Sequence, residues 1–74
     1  MAPRRLVEVT WLDAEGSLSW PLPAAYSLPI VRTVGWLLED LEDRVTVGAE
    51  SFEDGSYRDV TTVPRGMVKK VRKL

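Results

Sequence analysis

Seventy-four residues with 10 Lys/Arg, 11 Asp/Glu and a formal net charge of −1 make one small domain, residues 1–74, of nearly balanced charge. That balance excludes a strongly basic nucleic-acid coat and confines any phosphate contact to a local patch. The chain has no cysteine and no histidine, which removes disulfides, thiolate metal sites, the commonest general base and the commonest activated nucleophile. The expectation is a protein that is not an enzyme and that carries no metal and no cofactor.

A single core of this length rarely supplies more than about 3–5 kcal/mol of net stability, so a homo-oligomer is expected. No apolar run approaches the roughly 20 residues that span a bilayer. Met1 to Leu6 lead straight into a strand-like pattern without a signal-peptide core. A cytoplasmic protein with no membrane partner is expected.

Arg5 to Asp13 alternate, with Val7, Val9 and Trp11 on one face and Leu6, Glu8, Thr10 and Leu12 on the other, which predicts the first strand. Residues 14–29 predict a long ordered loop. Glu15-Gly16-Ser17 is a turn signal there, and Pro21, Pro23 and Pro29 forbid a continuous helix or a central strand. The loop also holds Leu18, Trp20, Leu22, Tyr26 and Leu28, enough apolar surface to fold over the domain or into a neighbouring subunit.

Residues 30–43 admit two readings. Val34, Leu37, Leu38 and Leu41 have the spacing of an amphipathic helix, whereas Ile30, Val31, Thr33 and Val34 are β-branched and Gly35 is a poor interior helix residue. We prefer a strand from Ile30 to about Leu38, followed by a turn over Glu39 to Asp43. Arg44 to Glu50 alternate again, with Val45, Val47 and Ala49 inward, and Glu53-Asp54-Gly55 predict a turn into a strand from Ser56 to Val63. At Pro64-Arg65-Gly66 a residue that cannot donate to a ladder is followed by one free to adopt unusual backbone angles, which predicts a sharp corner before the last strand.

The fold class expected is therefore all-β, a small five-stranded barrel with a long loop after strand 1. Val63-Pro64 followed by Val68 resembles the proline-then-valine corner of SH3-like barrels. Gly35 with Leu37 is similar to the glycine and hydrophobic residue of the first Sm motif. Asp40 and Arg44 fall near that motif's acidic residue and its RNA-contacting asparagine, and Arg65-Gly66 matches the arginine-glycine pair of the second. Arg44 stands where the Sm motif has asparagine, and the interval from Gly35 to Asp40 is one residue short. Trp11, Asp13, Ala14 and Trp20, with the segments Thr33 to Leu37 and Val63 to Met67, resemble small accessory proteins of bacteriophages and prophages. That resemblance implies a viral product acting in the cytoplasm of a bacterial host.

Trp11 shares the phase of Val7 and Val9 and is expected in the core, whereas Trp20 and Trp36 can either pack or present an indole to a ligand. The acidic run Glu39, Asp40, Glu42 and Asp43 lacks the alternating spacing and central glycine of a calcium loop and predicts a solvated turn. Arg65, Lys69, Lys70, Arg72 and Lys73 hold half of the positive charge. Their functional reading is a phosphate site and their bland reading a solvated strand edge. The candidate ligand-binding residues are Arg65, Gly66, Arg44, Trp20 and Lys69, with no catalytic and no metal-binding residue.

Two functions follow. The first is a non-catalytic, self-assembled barrel that binds an anionic nucleotide-like ligand or short RNA, such as a host signalling nucleotide. The second is an adaptor that grips a host or phage protein through the proline- and aromatic-rich loop, residues 17–29.

Overall fold

The computed structural model describes residues 4–13, 20–21 and 27–74. The turn expected at Glu15-Gly16-Ser17, and Leu18, Leu22, Pro23 and Tyr26 of the expected loop, lie outside the described residues. The fold is all-β, five antiparallel strands with a loop after the first: β1 Leu6–Leu12, β2 Ile30–Asp40, β3 Arg44–Ser51, β4 Tyr57–Pro64 and β5 Val68–Lys73, with a 3-10 turn at Arg65–Met67 between the last two. Strand order across the sheet is β4-β3-β2-β1-β5.

Residues 30–40 are strand, so β-branching and Gly35 outweigh the helical spacing of the leucines. The strand runs further than expected, through Glu39 and Asp40, and only Leu41, Glu42 and Asp43 form the turn. The Leu41 amide donates to the Arg44 carbonyl at 2.9 Å and closes it. β4 starts at Tyr57 and includes Pro64 as its last residue, paired with Arg44. A proline is tolerated there because β4 is an edge strand.

β2 divides the sheet. Its residues Ile30 to Trp36 pair with β1, whereas Trp36 to Asp40 pair with β3, and the two ladders overlap only at Trp36. An added Cβ at Gly35 would lie 2.6 Å from the Gly48 carbonyl oxygen. The missing side chain lets β3 cross close over the bend. Val7 and Val9 of β1 then meet Val45 and Val47 of β3 in one core cluster, lined by Trp11, Leu37, Val68 and Val71. Val63 of β4 is also buried.

Connectivity requires this coiling. In a flat sheet the edge strands β4 and β5 would be about 19 Å apart, four spacings of about 4.8 Å. The four peptide steps from Pro64 to Val68 reach at most about 14 Å. The sheet is therefore curled, but it is not closed into a barrel, because β4 and β5 remain the two edges and share no ladder among the described residues.

Three further expectations are corrected. Ala49 is exposed, because β3 has by then passed its last pairing with β2 at Gly48. Gly66 has no left-handed backbone, and a Cβ there would meet nothing within 4 Å, so neither backbone angle nor crowding requires a glycine at the corner. Trp11 is half-buried against the core rather than enclosed in it, and its Nε1 donates to Thr33 Oγ1 at 2.9 Å across the β1-β2 ladder.

Candidate functional site

The β3-β4 ladder sets Arg44 opposite Pro64, and the Arg65 amide donates to the Asp43 carbonyl at 2.9 Å. Arg44 and Arg65 thus meet at one end of the sheet, between the β2-β3 turn and the 3-10 corner. Each is occupied by the acidic turn. The Arg44 Nε and Nη2 grip Glu39 in a two-pronged contact of 3.1 and 3.0 Å, and its Nη1 reaches both Asp43 oxygens at 3.1 and 3.0 Å. Arg65 donates to the Leu41 carbonyl from Nε at 3.1 Å and from Nη2 at 2.6 Å, and its Nη2 also pairs with Asp40.

Glu39 belongs to a further polar row. Thr46 Oγ1, almost fully covered, lies 3.1 Å from Glu39 Oε1 and 3.1 Å from Thr62 Oγ1. The Arg44 fork first, and the Thr46 hydroxyl second, lower the Glu39 pKa below the ordinary glutamate value, with burial acting in the opposite direction. Hydrogen bonding to Glu39, then the Asp43 charge, raises the Arg44 pKa. Asp40 and Asp43 are therefore partners of the arginines instead of a free acidic cluster. Among the described residues no group of three or more metal-ligating side chains converges.

Gly66 is exposed in the 3-10 turn, and Lys69 follows on β5. Trp11 pairs with Val68 and Thr10 with Lys70, so Lys69 is the extra residue of a bulge. The bulge turns both Val68 and Val71 toward the core and leaves Lys69 and Lys70 exposed. Trp20 is 86% exposed and Pro21 beside it is exposed too. Arg65, Gly66, Arg44 and Lys69 thus lie at or just beyond the corner, while no hydrogen bond joins Trp20 to them among the described residues.

The sequence reading missed the partition of charge. The part of the sheet made by residues 4–13, 27–36 and 68–74 holds seven cations, Arg4, Arg5, Arg32, Lys69, Lys70, Arg72 and Lys73, against two carboxylates, Glu8 and Asp13, a net of five positive charges. Residues 37–67 hold three arginines against eight carboxylates, a net of five negative charges. The bend in β2 is the border between them. Alternate charges along the chain hide this partition, because β5 folds back beside β1 only through the β1-β5 ladder.

Comparison with protein-family models, with characterised proteins and with solved structures returns no match to this chain. Chemistry therefore rests on the side chains alone. On the positive part, Arg32, Lys69, Lys70 and Lys73 form no ion pair among the described residues. Arg72 pairs with Glu8 at 3.3 Å. These open cations can take an anion without displacing a carboxylate, whereas Arg44 and Arg65 must exchange one.

Proposed function

We propose that this chain is a non-catalytic, self-assembling binding protein built on a curled five-stranded sheet, an accessory factor of a bacteriophage, that holds an anionic nucleotide-like ligand or short RNA in the bacterial cytoplasm. The observation that carries the reading is the partition of charge. A chain of net charge −1 gathers five net positive charges on one part of its sheet, where they raise the local concentration of anions. Lys69, exposed at the bulge and in no ion pair among the described residues, is the first contact, and Gly66 leaves the approach to the corner open. Arg44 and Arg65 join by exchanging a carboxylate for a phosphate, a like-for-like substitution in a guanidinium fork.

Self-assembly draws support from the same partition. The two unpaired edges β4 and β5 belong to parts of opposite sign, so head-to-tail contact between copies brings unlike charges together.

Native mass spectrometry of the protein purified from bacterial cytoplasm, with ATP and a 12-nucleotide RNA as added ligands, tests this. Bound nucleotide mass, or salt-sensitive binding of either probe that weakens in Lys69→Ala, supports the reading. A folded protein that carries no cargo and binds neither probe ends it.

One observation favours the adaptor reading as the second choice. Trp20 is 86% exposed beside Pro21, and Leu28 and Ile30 at the return into β2 are 40% and 56% exposed. An exposed indole beside apolar side chains is the usual anchor of a protein partner. A co-purifying host protein that is lost in Trp20→Ala, with no nucleic acid, is its signature.

A further inference from the structure

Ladder register assigns each side chain of β5, β1 and β2 to a face. Val9 is fully buried and sits opposite both Thr33 and Val71, which defines the inner face. Thr10 is on the other face, directly between Arg32 of β2 and Lys70 of β5. One row along, Glu8 lies between Val34 and Arg72, and beyond it Leu6 is opposite Trp36. Among the described residues these ladders set three cations, Arg32, Lys70 and Arg72, and a single carboxylate, Glu8, on the outer face, and Arg72 already holds Glu8 at 3.3 Å. Arg32 and Lys70 are exposed, Val34 is 49% exposed and Trp36 is half-buried.

We propose that this outer face is a platform for single-stranded nucleic acid, in which Arg32, Lys70 and Arg72 contact successive phosphates while Val34 and Trp36 receive the bases. The proposal rests on the anionic-ligand reading above and specifies its ligand as an extended strand. Spacing carries the distinction. Lys70 and Arg72 are two residues apart on one strand, about 6.6 Å, and Lys70 and Arg32 are two ladders apart, about 9.6 Å. Cations spread over an open sheet suit charges spaced along a backbone; a mononucleotide needs a concave site that closes around it. Apolar and aromatic side chains adjoin the cations on the same face, as base stacking requires. The face differs from the corner of Arg65 and Gly66, so the two sites can be separated by mutation.

The test is fluorescence anisotropy of a fluorescein-labelled 12-nucleotide single-stranded RNA with the full chain, the double variant Arg32→Ala/Lys70→Ala, and Arg58→Ala. The two substituted side chains of the double variant are exposed, and circular dichroism verifies the fold of each protein. Three phosphate contacts give log K a slope of about −2 against log salt concentration, and removal of two leaves about −0.7. The expected result is a tenfold or greater loss of affinity and this fall in slope in the double variant, with Arg58→Ala, which removes an exposed cation of β4 outside both sites, within about twofold of the parent. Unchanged binding in the double variant overturns the proposal, as does competition by poly-glutamate equal to that by unlabelled RNA. Binding of ATP at the corner without RNA binding overturns the platform alone, and absence of both overturns the anionic-ligand reading with it.

Discussion

Gly35 and Gly48 approach so closely that the Gly48 carbonyl oxygen stands 2.6 Å from the place of a Cβ on Gly35, with the Gly48 carbonyl carbon at 3.1 Å and Val47 Cβ at 3.4 Å. The obstruction is backbone, which cannot rotate away. Gly35→Ala must push β3 off the bend, and overpacking of this kind costs about 1–3 kcal/mol. Gly66→Ala meets nothing within 4 Å and is expected within about 0.5 kcal/mol of the parent. Urea denaturation of both variants checks the contrast; equal midpoints would remove the role assigned to the bend.

Val9 is fully buried at the centre of a core built from five valines. Val9→Ala removes two methyl groups' worth of packing and leaves a cavity, a loss of about 2 kcal/mol. For a domain whose total stability is about 3–5 kcal/mol this is a large share. Val60, 52% exposed on the opposite face of the sheet, is expected to tolerate alanine within about 0.5 kcal/mol. Thermal unfolding followed by circular dichroism orders the two variants.

Acid is expected to loosen the β2-β3 end of the sheet and the turn between β3 and β4. The folded protein lowers the Glu39 pKa through Arg44 and then Thr46, and lowers that of Asp54 through the Ser56 hydroxyl and amide. A depressed carboxylate pKa contributes stability that is present above the unfolded value and is lost as pH falls through the folded one. Stability should thus be level near neutrality and decline below the ordinary carboxylate range. Glu39→Gln should flatten part of that decline, as read from urea midpoints taken between pH 7 and pH 2. A variant with an acid limb identical to the parent's would show that the Glu39 network does not contribute.

Association of copies should respond to salt. With five net positive charges on one side of the β2 bend and five net negative on the other, unlike parts attract over a range of about 10 Å at 0.1 M salt and about 3 Å at 1 M. Sedimentation velocity should show larger species at 20 mM NaCl than at 500 mM. A single species of unchanged size at both concentrations would mean that charge does not drive assembly.

Much of the strand pattern was legible because alternation and β-branching act locally. Val7 and Val9, and Val45 and Val47, announce buried faces by period alone, and the turn at Asp54-Gly55 is visible as a composition signal; Gly55 indeed takes a positive φ of 91°. Strand ends were less legible. β2 continues to Asp40 because Glu39 and Asp40 find Thr46 and Val45 across a ladder with a bulge at Leu38, and no local property of a carboxylate predicts a cross-strand partner. The corner arginines illustrate the same limit. Arg44 and Arg65 read as free cations in the chain, yet each is held by carboxylates or carbonyls of the β2-β3 turn, Arg65 by residues 24 and 25 positions away.

By itself the sequence determined the all-β class, the buried valine pairs of β1 and β3, the loop after the first strand and the absence of thiol and imidazole chemistry, all of which follow from side-chain type and short-range period. Only the tertiary structure decided which charges neutralise one another, which cations stand open and on which face, and that the sheet curls without closing. Those properties depend on ladder register and on the bend at Gly35. A shift of one residue in the β1-β5 ladder would turn Lys70 and Arg72 to the opposite face while leaving the sequence unchanged.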